Sequence, residues 1–125
     1  MGGVRVLLVD DEPLFLAALT ALFEHDDRID VVGTASGADA VELVGACRPD
    51  VALVDLGMPG IDGFELTRRL VAADPAPRVV AVSGHADGER AREAGASEFL
   101  LKGGLHSEIA DTIVAVSDES RETGA

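Results

Sequence analysis

The ten residues 51–60, VALVDLGMPG, set a single carboxylate between an apolar run and a turn. Val51, Ala52, Leu53 and Val54 form a short apolar stretch of the kind that fills a strand buried on both faces, where no polar alternation is required. Asp55 follows at once, and Gly57, Pro59 and Gly60 then stop either kind of regular structure. An apolar run that ends on polar groups is a pattern that the flanking sequence repeats.

On either side, apolar runs at 4–9, 30–35, 78–83 and 97–101 read as further strands, and segments of helical period at 13–25, 37–47, 62–73, 87–94 and 105–117 lie between them. This alternation predicts βα units on a parallel sheet, that is, an α/β, doubly wound, five-stranded fold with helices on both faces. Three helices carry firm signals. The first opens with Pro13 and repeats apolar residues at Phe15, Ala18, Leu19, Leu22 and Phe23. The third has Asp62 three residues before Glu65, a capping arrangement, and an apolar set at Phe64, Leu66, Leu70 and Val71. The last sets Leu105, Ile109, Ile113 and Val116 on one stripe. The fourth offers only Ala86, Ala91 and Ala94 and contains Gly88, so about two turns remain, marginal without tertiary support. Residues 1–117 thus form one domain, and 118–125, DESRETGA, read as a polar, disordered tail or the start of a linker.

Composition narrows the function. Ten basic against 23 acidic residues give 10 − 23 = −13, a charge that repels phosphate backbones and anionic lipid and favours cations and basic or apolar partners. Cys47 is the sole cysteine, which excludes an internal disulfide, fits a reducing compartment, and reads as a small core residue in step with Ala40, Leu43 and Val44. The apolar run near the N-terminus is too short for a signal peptide or a membrane span. A soluble, cytoplasmic chain is the expectation.

In a doubly wound parallel sheet, groups just past the carboxyl ends of the strands gather along one edge. Those groups are Asp10, Asp11 and Glu12 after the first strand, Asp55 after the third, Ser83 and Gly84 after the fourth and Lys102 after the fifth. Two carboxylates about 4 Å apart repel by about 4 kcal/mol at an effective dielectric near 20. Asp10, Asp11, Asp55 and Lys102 sum to −2, which a divalent cation offsets. Hard oxygen donors fit Mg2+, and no His/Cys spacing for zinc is present. A plainer reading makes the first three acids caps for the helix entered at Pro13; it leaves Asp55 and Lys102 unexplained. An acid beside a metal, a hydroxyl and an ammonium suits phosphoryl transfer with Asp55 as nucleophile, and Gly57 would then let a backbone carbonyl approach the metal.

The stretches VLLVDDEP, VALVDLGMPGIDGFEL, VVAVSG and GASEFLLKG resemble, in order, the motifs of the response regulator receiver domain of two-component signalling, over roughly residues 4–117. The resemblance implies a flavodoxin-like strand order 2-1-3-4-5. It implies that Asp55 accepts a phosphoryl group from a phosphohistidine of a sensor histidine kinase, and that Asp10, Asp11, Asp55 and the Gly57 carbonyl hold Mg2+. Ser83 would bond the phosphoryl group, Lys102 would pair with it, and Phe99 would swing inward as Ser83 moves. His85 stands where the family tunes dephosphorylation, or is a solvated loop histidine; His25 and His106 receive no role. The protein would then be a signalling switch rather than an enzyme, with autodephosphorylation and homodimerisation on activation as family traits.

Gly103 in FLLKGG resembles receivers that precede a LuxR/NarL-type helix-turn-helix domain. That resemblance implies a role in transcription regulation, with DNA reached only through an output domain outside this sequence, whether the chain stands alone or was cut inside a linker. Relative to the family, about three residues are missing between Ser83 and Lys102. A short or mobile fourth helix is therefore expected, and the usual dimer mode comes into question. Two other functions share parts of this set: a small Mg-dependent phosphatase with an aspartate nucleophile, which would want an acid at the position of Gly57, and a receiver-like scaffold that is never phosphorylated, against which the complete acid, Ser and Lys set argues. No P-loop and no dinucleotide-binding glycine motif occurs.

Overall fold

Strand β1 (Val4–Val9) lies between two neighbours, pairing in parallel with β2 (Ile29–Ala35) on one side and β3 (Val51–Asp55) on the other. β4 (Arg78–Ser83) pairs with β3, and β5 (Glu98–Leu101) closes the edge, so the order is β2-β1-β3-β4-β5. The computed structural model describes residues 3–104 and 106–123. Helices α1 (Pro13–Glu24), α2 (Ala40–Cys47), α3 (Gly63–Val71), α4 (Gly88–Glu93) and α5 (His106–Thr123) connect or follow the strands. This is the doubly wound fold expected from the alternation of runs.

The strand period of two sorts the central residues onto two cores. Leu7, Val9, Ala52, Val54, Val79 and Ala81 face α2, α3 and α4, where Ala40, Val44, Leu66, Leu70 and Ala91 meet them. Val6, Leu8, Val51, Leu53, Val80 and Val82 face α1 and α5, which contribute Leu19, Phe23, Ile109 and Ile113. Because both faces are covered, β1, β3 and β4 carry no polar alternation, and their unbroken apolar runs are the mark of interior parallel strands.

Element boundaries moved where local backbone chemistry overrides periodicity. α2 starts at Ala40, because Gly37 holds a left-handed φ of 105° that no helix passes through. β3 runs one residue further than expected and takes Asp55 itself into the ladder opposite Val82. α4 has six residues, so the short fourth helix is present. α5 continues through residues 118–123, where the polar sequence predicts a disordered tail or the start of a linker. That stretch lacks an apolar stripe, yet it also lacks any Gly or Pro before Gly124, so nothing stops a helix nucleated on the packed Ile109–Val116 segment. Leu105 of the expected stripe and the last two tail residues lie outside the described residues. Cys47 is half-buried rather than in the core. Among the described residues no helix is long and apolar enough to cross a membrane.

Asp62 caps α3 as expected, accepting hydrogen bonds from the Phe64 and Glu65 amides at 3.0 and 3.2 Å. Gly63 follows, and its α-carbon faces the turn after β3 so closely that an added Cβ would sit 2.6 Å from Leu56 Cα. Gly63→Ala is therefore expected to destabilise by about 2 kcal/mol through overpacking. Gly45, inside α2 with nothing near its missing Cβ, is the control: Gly45→Ala should stabilise by about 0.5–1 kcal/mol. Urea unfolding midpoints at unchanged slope measure both; equal shifts of one sign would contradict the packing described.

Candidate functional site

The strand order reverses direction between β1 and β3, and their carboxyl ends lie side by side there. Asp10 follows β1 and is tied to β2 by its amide, which donates to the Ala35 carbonyl at 3.0 Å. Its side chain folds back, Oδ1 accepting from the Glu12 amide at 2.9 Å, and is 3% exposed. Asp55 ends β3, equally buried, with Oδ1 accepting from the Gly57 amide at 2.9 Å. Asp11 is exposed at the mouth.

Lys102 enters from β5. Its amide donates to the Ser83 carbonyl at 2.8 Å, which fixes the backbone, and its ammonium spans the gap to the acids. Nζ lies 2.9 Å from Asp55 Oδ2 and 3.1 Å from Asp10 Oδ2, and it also binds Glu12. The face of the Phe15 ring lies 4.5 Å from the same ammonium. Lys102 is the only lysine in the sequence. Burial pulls its pKa down, but hydrogen bonds to Glu12, Asp55 and Asp10 outweigh that and hold it above the usual lysine range.

One ammonium does not balance the acids. Asp10, Asp11, Glu12 and Asp55 against Lys102 sum to −3. Burial raises the pKa of Asp10, the Glu12 amide and Lys102 pull it back, and the charge on Asp55 pushes it up again; the net direction is upward. Asp10 Oδ2 is buried and has only the ion-pair contact with Lys102, with no aligned hydrogen bond. One carboxylate oxygen from each of Asp10, Asp11 and Asp55 falls within 4.8 Å of the others. A buried carboxylate oxygen without an aligned hydrogen bond, in a cluster of three acids, makes this a candidate site for a hard cation.

The plain capping reading of the first acids does not hold. Glu12 occupies the N-cap of α1 but makes no side-chain cap, its carboxylate being spent on Lys102. This partner of Lys102 was missed in the sequence, since a strand-end acid before Pro13 looks like a cap until the fifth strand is placed. An added Cβ on Gly57 would lie 3.4 Å from Asp55 Oδ1, ordinary contact, so crowding does not demand glycine there.

Ser83 ends β4, 1% exposed, one residue beyond the partner of Asp55 in the ladder. Its hydroxyl points into the following loop, donating to Asp87 Oδ2 at 2.9 Å and accepting from the His85 amide at 3.1 Å. Asp87 was not singled out in the sequence. Phe99 is half-buried against the core that holds Leu66, Leu70 and Ala91. His85 is exposed, and His106 meets the Phe15 ring edge-on at 5.7 Å.

Residues 6–114 match the family model of the response regulator receiver domain. The transcriptional regulatory protein LiaR of Bacillus subtilis is 38% identical over 118 residues, covering 91% of this chain and 56% of LiaR. Protein-glutamate methylesterase/protein-glutamine glutaminase 2 of Cereibacter sphaeroides is 42% identical over 109 residues, covering 83% of this chain and 30% of that protein. The chain thus spans about half or less of these relatives. Among solved structures, the signal receiver domain of NarL from Mycobacterium tuberculosis superposes with a TM-score of 0.84 at 36% identity, covering 94% of this chain and 98% of that one. LuxR/NarL-type regulators are among the relatives, as the resemblance of this sequence to such receivers implies. A family match that begins in β1 and ends in α5, on the strand order and strand-end acids described above, leaves one conclusion: this chain belongs to the response regulator receiver domain family of two-component signalling.

Proposed function

We propose that Asp55 accepts a phosphoryl group from a phosphohistidine of a sensor histidine kinase and that the resulting acyl phosphate switches a protein-protein surface. In that step an Asp55 carboxylate oxygen attacks phosphorus, a P–O bond forms, the P–N bond breaks, and the imidazole leaves with a proton. The observation that carries the reading is the convergence of Lys102 with Asp10 and Asp55, both buried, at the sheet edge. The Gly57 amide orients one Asp55 oxygen while Lys102 screens the other, so the arriving phosphoryl oxygens meet an ammonium rather than bare carboxylates.

Asp10 Oδ2, which makes no aligned hydrogen bond, and the all-oxygen donor set fit Mg2+. Asp10, Asp11, Asp55 and the Gly57 carbonyl would hold it, and its charge offsets that of the transferring oxygens. Ser83 then bonds the phosphoryl group, Lys102 pairs with it, and Phe99 moves inward. The protein works in the cytoplasm, where its kinase partner is phosphorylated. Where the output is transcription regulation, DNA contact falls to a separate DNA-binding domain, because a net charge of −13 disfavours contact of this domain with a phosphate backbone.

Intact mass after incubation with a small phosphodonor and Mg2+ tests this. One phosphoryl adduct, abolished by a chelator, is expected. Turnover of added phosphomonoesters would instead establish a phosphatase, and absence of any adduct would establish a scaffold.

A further inference from the structure

We propose that Asp87 is a positioning residue for phosphoryl capture: its carboxylate latches the Ser83 hydroxyl into the β4–α4 loop, and the latch must open before Ser83 can serve a phosphoryl group on Asp55. The inference rests on the phosphoacceptor reading of Asp55.

The Ser83 hydroxyl carries one proton, and Asp87 Oδ2 takes it at 2.9 Å. The His85 amide donates back to the same oxygen at 3.1 Å, so Oγ is held from two sides in a site 1% exposed. The backbone around it is pinned, since Leu56 N donates to Val82 O at 2.9 Å and Lys102 N to Ser83 O at 2.8 Å. Redirecting the hydroxyl therefore falls to side-chain rotation alone. Neither Asp55 oxygen receives that proton; Gly57 and Lys102 occupy them.

Asp87 gives up something to make this bond. It stands at the N-cap of α4, the place where Asp62 of α3 accepts two backbone amides, yet the Asp87 side chain caps nothing. A carboxylate acceptor makes the Ser83 bond stronger than a neutral one would. A single proton cannot serve Asp87 and a phosphoryl oxygen at once, so the two bonds exclude each other. Asp87 thus opposes the phosphorylated arrangement, and breaking the latch returns a carboxylate to the start of α4.

The test is the affinity for beryllofluoride, a reversible phosphoryl-sized anion, in Mg2+, followed by amide NMR of Gly57 and Gly84 in the full chain. Asp87→Ala should bind about tenfold tighter than the unmodified protein, because a charge-assisted bond no longer competes. Asp87→Asn, which keeps an acceptor but no charge, should fall between and serves equally if the Ala variant folds poorly. In a Ser83→Ala background the Asp87 substitution should have no effect, which a merely structural role would not produce. Unchanged or weaker binding in the Asp87 variants, or a shift that persists without the Ser83 hydroxyl, overturns the latch while leaving Asp55 intact. Failure of the unmodified protein to bind beryllofluoride overturns the Asp55 reading and the latch with it.

Discussion

An Asp55→Asn protein takes up no phosphoryl group. The amide keeps the shape of the side chain, and its oxygen can still accept from the Gly57 amide that now meets Oδ1 at 2.9 Å. What it loses is the anionic oxygen proposed to attack phosphorus, and no neighbour is placed to replace it. Asp10 is as buried as Asp55, but one of its oxygens is held by the Glu12 amide and the other faces Lys102, and its pKa is raised by burial first and by the charge on Asp55 as well. Intact mass with phosphodonor and Mg2+ should therefore fall from a single adduct to none, with unfolding unchanged in slope. An adduct of normal yield would place the acceptor elsewhere.

Lys102→Met produces the largest stability loss. It leaves Asp10 and Asp55, 3% exposed each, without their counter-charge. Stranding buried charges in this way costs about 3–5 kcal/mol. The cost should be largest without metal, and Mg2+ should narrow the gap; at a hundredfold excess over its dissociation constant a ligand contributes about 2.7 kcal/mol. The pH dependence separates this from lost packing. A lysine whose pKa is raised on folding contributes stability that is complete below its ordinary value of 10.5 and is lost as pH rises through the higher folded value. With one lysine and no tyrosine in the chain, few other groups titrate there. The unmodified protein should lose stability above pH 10.5 and Lys102→Met should not. Parallel alkaline curves would contradict the ion pairs as drawn.

The parts legible in the sequence were those where burial and chain order act together. β1, β3 and β4 announced themselves because strands covered on both faces need no polar residues, and Asp10, Asp55 and Lys102 followed because each stands directly beyond such a run. The shortness of α4 was legible from its few apolar positions and from the interval between Ser83 and Lys102, about three residues shorter than the family resemblance implies. The extension of α5 was not legible, since residues 118–123 have no apolar stripe and owe their helix to the packed turns before them. The contacts of Glu12 and Asp87 were not legible for a related reason. Both look like helix caps, and only the placement of Lys102 and Ser83 shows that their carboxylates are used elsewhere.

The destination of the phosphoryl group decides whether Asp55 is the acceptor. Borohydride reduces an aspartyl phosphate to homoserine, so phosphorylated protein, reduced and digested, reports its acceptor by peptide mass. The expected product is homoserine at position 55 alone, formed in Mg2+ and absent with chelator. Homoserine at position 10 or 11, or a yield at 55 that ignores the chelator, would contradict the site described.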